Sequence, residues 1–243
     1  GSGLVGSEMC IRDSNWIYPI DNGYVLIDTG YERGFAHFKK QLAKMQIAPQ
    51  QIRYIFLTHA HDDHAGYLNE ILSECSDIQI VMSDKALERL YKGQNSFHGG
   101  CTTKIALLFC FLMKFVGKGK HLFPPITQEY SCRCIQVTEQ NRKQVELLLQ
   151  GKIIDTPGHT ADSISLLTND GSLFCGDAAM NGLPSLHRIT IWAEDKTDFL
   201  KSWETIIALR PNLIYPGHGK PFGYDDLKIN LKRAKNMELL PIH

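Results

Sequence analysis

Apolar positions along the chain fall into short blocks of two kinds, one extended and one helical. Trp16 to Ile20 and Tyr24 to Ile27 are β-like runs separated by Asp21-Asn22-Gly23, and Asn-Gly between such runs predicts a hairpin. Phe35, Phe38, Leu42 and Met45 then recur at helical spacing, which predicts a helix over 35–47 with Pro49 just past its end. Ile52 to Leu57 is apolar except for Arg53, as expected of a strand covered on both faces. Helix over 67–72, strand over 78–82 and helix over 85–91 follow. This alternation predicts an α/β layer architecture.

The segment 93–130 breaks the rhythm. Within it, Ile105 to Val116 is apolar apart from Lys114 and too short to span a bilayer. It predicts a helix buried against the body or a partner subunit, or a lid above a site. Beyond it, extended runs are expected over 132–137, 153–155, 164–168 and 173–175, the last two joined by an Asn169-Asp170-Gly171 turn. A helix over 197–209, a strand over 213–215 and a helix over 227–237 complete the pattern. We therefore expect a tag-like or disordered leader over 1–14 and one domain over 15–243, carrying an apolar helical insertion around 93–130.

Composition narrows the partners. A chain of 243 residues, 43% apolar, can bury a substantial core. Lys plus Arg and Asp plus Glu balance at 26 each, so net charge gives no long-range attraction to nucleic acid or an anionic membrane. A small-molecule substrate is the default expectation, with a homodimer as an option. Seven cysteines without regular spacing read as free thiols in a reducing compartment, which points to the cytoplasm.

The chemistry concentrates in Thr58-His59-Ala60-His61-Asp62-Asp63-His64, an H-x-H-x-D-H run placed where a buried strand ends and a helix begins. His59 and His61 can project to one side of an extended chain, while Asp63 and His64 turn toward a neighbouring position. One loop can thus feed two adjacent metal ions. His159, Asp177 and His218 each follow an apolar strand and sit beside glycine, which permits the backbone angles that aim a side chain into a site. Asp28-Thr29-Gly30 has no second copy with which to form a carboxylate dyad, so a turn or supporting role is expected.

Taken together, Asp28-Thr29-Gly30, the H-x-H-x-D-H run, His159, Asp177 and His218 resemble the metallo-β-lactamase fold superfamily, from about Trp16 to the final helix. The resemblance implies a four-layer αββα sandwich. It implies one metal on His59, His61 and His159, a second on Asp63, His64 and His218, and Asp177 bridging them. Class B β-lactamases lack that bridging aspartate, so the resemblance favours the glyoxalase II-type and lactonase-like hydrolases that keep it. Lactonases carry a tyrosine three residues later, where this chain has Met180.

The activity implied is attack on an ester, lactone or thioester by hydroxide held between two divalent ions, zinc first, with iron or manganese as alternatives. Asp63 would orient the nucleophile or return a proton. Met180 and His187 are the candidate substrate-binding residues, and an apolar acyl group would suit a lid over 105–116. An iron-dependent persulfide dioxygenase-like oxidoreductase is the alternative in another reaction class.

Overall fold

In the computed structural model, which describes residues 15–115 and 119–242, the chain opens with the expected hairpin. The leader expected over 1–14, together with Val116 and His243, lies outside the described residues. β1 (Trp16–Ile20) and β2 (Gly23–Ile27) pair antiparallel with Ile20 opposite Gly23. The turn is therefore Asp21-Asn22, and Gly23 already belongs to the second strand. α1 (Phe35–Lys44) stops before Met45 and buries Phe35, Phe38 and Leu42, the face its spacing announced. β3 (Ile52–Phe56) runs parallel to β2, with a register shift that skips Arg53. That bulge lets a strand covered on both faces carry a cation: Arg53 Nε turns out to donate to Asn22 O at 3.1 Å.

α2 (Asp62–Ala65), α3 (Leu68–Glu74), β4 (Gln79–Ser83) and α4 (Ala86–Lys92) follow close to expectation. The insertion then supplies a two-residue strand, β5 (Gly100–Cys101), and α5 (Lys104–Phe115). The second half comprises β6 (Cys134–Val137), α6 (Arg142–Leu149), β7 (Gly151–Asp155), β8 (Ile164–Thr168) and β9 (Ser172–Gly176). β10 (Trp192–Ala193), α7 (Lys196–Leu209), β11 (Leu213–Pro216) and α8 (Asp225–Lys235) complete it.

The strands form a five-stranded sheet ordered β1-β2-β3-β4-β6, a four-stranded sheet ordered β11-β9-β8-β7, and a β5–β10 ribbon. Alternation along the strands divides their side chains between three apolar cores. Leu26, Ile55 and Ile80 point to the core shared with α1, α3 and α4. Val25, Phe56 and Val81 point the other way and meet Ile153, Ile164, Leu166 and Phe174 of the second sheet. Leu173, Cys175 and Ile214 face outward onto Phe199, Trp203 and Ile206 of α7 and Leu227 of α8. Helices, sheet, sheet, helices: the three cores define the expected four-layer αββα sandwich. Trp16 crosses the central layer, its indole N–H donating to Pro216 O at 2.9 Å.

Of the readings for the insertion helix, burial against the body is overturned. α5 is not buried against the body; among its residues only Ala106 is buried, while Leu108 is 59% and Phe115 75% exposed. No helix among the described residues is long and apolar enough to cross a membrane.

Candidate metal centre

Strand directions bring the sequence-predicted residues together. β2 and β3 are parallel, and β7, β9 and β11 share one direction because β8 runs against both β7 and β9. The segments leaving their carboxyl ends carry Asp28, the His59–His64 run, His159, Asp177 and His218. Two close approaches join the two sheets here. Gly176, at φ +50°, packs where a Cβ would lie 2.3 Å from Thr58 Oγ1, so a larger residue would push the sheets apart. At Gly217 a Cβ would lie 2.5 Å from Asp177 Oδ1 and 2.7 Å from His64 Cε1, so glycine keeps the centre open.

Hydrogen bonds orient three of the imidazoles. His159 Nδ1 lies 2.8 Å from Trp192 O, a carbonyl that can only accept, so Nδ1 carries the proton and Nε2 is left with its lone pair. Asp28 already accepts from Thr58 N at 2.7 Å and Thr58 Oγ1 at 2.8 Å, and it accepts a third bond from His64 Nδ1 at 2.8 Å. Having donated to Asp28, the Thr58 hydroxyl can accept from His59 Nδ1 at 3.0 Å. His59 therefore turns an unprotonated Nε2 inward, and His64, its Nδ1 proton held by Asp28, points Nε2 the same way.

Two groups follow. His159 Nε2 stands 3.2 Å from His59 Nε2 and 3.1 Å from His61 Nδ1. Two lone pairs at that distance cannot bond one another. Ligand nitrogens on a tetrahedral ion with bonds of about 2.0–2.1 Å stand about 3.3 Å apart, so this triangle fits a cation. Asp63, His64 and His218 form the second group, and Asp177 lies within reach of both: His159 Nε2, His64 Nε2 and His218 Nε2 are each 3.6 Å from one of its oxygens. His64 Nε2 and Asp177 Oδ1 are buried without a hydrogen-bond partner, as is His61 Nε2. Orphaned atoms of this kind are costly unless something electrophilic satisfies them, and a metal ion would do so for the two that face the centre.

The electrostatics separate the groups. Burial, reinforced by neighbouring imidazoles, holds His59 and His61 well below the usual histidine range, so both stay neutral and ready to ligate. Burial also opposes charge on His64 and His218, but carboxylates outweigh it. Asp63, Asp28 and Asp177 push His64 well up, and Asp177 and Asp63 raise His218 to about 9. Asp63 and Asp177 are buried too, yet these cations hold both well below the usual carboxylate range.

Supporting residues that the sequence did not single out fasten the loops. Asp162 accepts from Ala60 N at 2.9 Å inside the H-x-H-x-D-H run, and its other oxygen is 3.2 Å from Arg89 Nε of α4. Arg89 also grips Glu194 through two bonds of 2.6 and 2.9 Å, while Glu194 accepts from Ala161 N at 2.7 Å. Asn95 pairs doubly with Asp62, and His121 lies 3.4 Å from Asp62. A carboxylate three residues after His159 was the one hint visible in the sequence; Arg89 has the spacing of any helix-surface cation. Met180 is buried, with Sδ 3.2 Å from Thr190 Oγ1, and that hydroxyl lies 3.2 Å from His159 Nδ1. His187 stands apart from the cluster, exposed and 3.0 Å from Arg233.

Comparison with known proteins agrees with this geometry. The family model described as metallo-beta-lactamase superfamily matches residues 10–218. The beta-lactamase-like protein 2 homolog of Drosophila melanogaster is 26% identical over 241 residues, covering 96% of this chain and 69% of that protein. The hydroxyacylglutathione hydrolase of Nitrosococcus oceani is 26% identical over 173 residues, 69% of this chain and 49% of that enzyme. Among solved structures, TTHA1623 in a di-iron-bound form superposes with a TM-score of 0.60 at 19% identity, covering 92% of this chain and 94% of that one. The chain belongs to the metallo-beta-lactamase superfamily and carries the His and Asp cluster of a metal-dependent hydrolase.

Proposed function

We propose that the protein is a dinuclear metallo-hydrolase cleaving an ester, lactone or thioester bond of a small molecule. The observation that carries this reading is two ligand groups with Asp177 3.6 Å from His159 of one and from His64 and His218 of the other. His59, His61 and His159 would hold one ion, Asp63, His64 and His218 the other, with Asp177 reaching both. Imidazole and carboxylate donors suit zinc, and iron is the alternative that the di-iron form of TTHA1623 supports. Bound there, divalent ions supply Lewis acidity and lower the pKa of water toward neutrality.

The chain's own groups handle orientation and protons. Asp63, kept ionised by the neighbouring imidazoles, would take the proton lost by the attacking water and return it to the leaving group. Thr58, Asp28 and the Trp192 carbonyl hold Nδ1 of His59, His64 and His159 so that Nε2 faces the centre. The hydroxyacylglutathione hydrolase name favours thioesters within the class, and the free thiols among the described residues suit a reducing cytoplasmic setting.

Metal-replete protein should turn over at least one member of a panel of esters, lactones and acyl thioesters. Asp177→Ala should lower that turnover by more than the roughly 10–100-fold that outer-shell substitutions cost. Full activity in Asp177→Ala with two ions retained would defeat the assignment. One iron per chain, with oxygen consumption, would instead indicate dioxygenase chemistry.

A further inference from the structure

We propose that the outer face of α5 is a docking surface for an anionic lipid bilayer. Ile105, Leu108, Phe111, Leu112 and Phe115 all stand exposed on this one helix, while Ala106 faces inward. Scattered exposed leucines need no explanation, but a contiguous apolar patch of this kind marks an interaction surface. At 12 residues the helix is about 18 Å long, too short to cross a bilayer and sufficient to lie along one.

Charge selects the occupant. The sequence contains no Asp or Glu between Glu88 and Glu129, although the chain as a whole is neutral. Lys104 opens α5, Lys114 lies near its end and Lys120 follows it; among the described residues none of the three has a carboxylate partner. Exposed lysines flanking an apolar helix complement a surface of anionic headgroups above acyl chains. A second copy fits less well, because a two-fold contact through this face would bring the same lysines together. The zero net charge therefore misleads at this locality.

The docked helix would also sit close to the chemistry. Three residues before α5, Cys101 pairs with Trp192, whose carbonyl holds His159, and Thr102 N donates to Ile191 O at 3.1 Å. A bilayer at α5 would thus lie next to the segment that orients a candidate metal ligand.

Sedimentation of the full chain with phosphatidylcholine vesicles, with and without phosphatidylglycerol, tests the proposal. Binding should require the anionic lipid and weaken with salt. Replacing Lys104, Lys114 and Lys120 by Gln should weaken it about fivefold per lysine. Leu108→Ser combined with Leu112→Ser and Phe115→Ser should abolish it while circular dichroism stays unchanged. Equal affinity for neutral vesicles, or no sedimentation with either, would overturn the proposal. So would a concentration-dependent dimer, dispersed by the serine variant, in protein that ignores vesicles. Vesicle binding is read without turnover, so the hydrolase reading is tested separately.

Discussion

Asp28 determines which nitrogen of His64 faces the centre, because a carboxylate that already accepts two bonds from Thr58 takes its third from Nδ1–H. Replacing it by asparagine keeps the shape but removes the charge and allows the amide to present a donor instead. Asp28→Asn should weaken metal binding about 10–100-fold, measured by competition with a chelator of known affinity, and an unchanged affinity would remove Asp28 from the ligand-orienting set. The sequence showed Asp28-Thr29-Gly30 as a supporting turn, since a tripeptide without a second copy cannot form a dyad. It could not show the partner, which lies 36 positions away and is brought close only by the parallel pairing of β2 and β3.

Between elements, Arg89 is the tie that joins α4 to Asp162 in the loop after His159 and to Glu194 just past β10. Arg89→Ala would leave Asp162 and Glu194 buried without their cation and should destabilise the fold by about 3 kcal/mol or more, readable in urea unfolding. Burial works against ionised Glu194, but Arg89 outweighs it and holds the group below its ordinary 4.5. A depressed folded value means that the stabilisation is fully present above 4.5 and is lost as pH falls toward the lower folded value. The stability gap between the parent chain and Glu194→Gln should therefore narrow below pH 4.5 and stay constant above it; a gap independent of pH throughout would exclude this ion pair as the cause. Most elements were legible because their apolar faces repeat cleanly. α6 was not: its consecutive Leu147, Leu148 and Leu149 blur the helical period, and only Val145 and Leu149 turn inward. β5 and β10, two residues each, are too short to leave any period.

For the molecule as a whole, the candidate ligands are divided between the sheets: His59 to His64 follow a strand of one, while His159, Asp177 and His218 follow strands of the other. Metal binding should therefore raise the melting temperature, by a stabilisation of about 4 kcal/mol at a free concentration a thousandfold above Kd, and chelation should reverse it. Equal melting of stripped and replete protein would place the ions outside this cluster. The order of motifs made the layered fold readable through family resemblance, whereas periodicity alone reached only an α/β class. The exposure of α5 was hidden because an apolar run looks the same whether it meets a core or solvent. Trp16 adds a practical handle, as its indole spans the junction between the sheets and packs edge-on to Tyr215 at 4.9 Å. Any parting of the halves must wet that ring, so its emission is an intrinsic optical gauge of the seam, distinct from Trp203, whose buried ring reports on the outer helical layer.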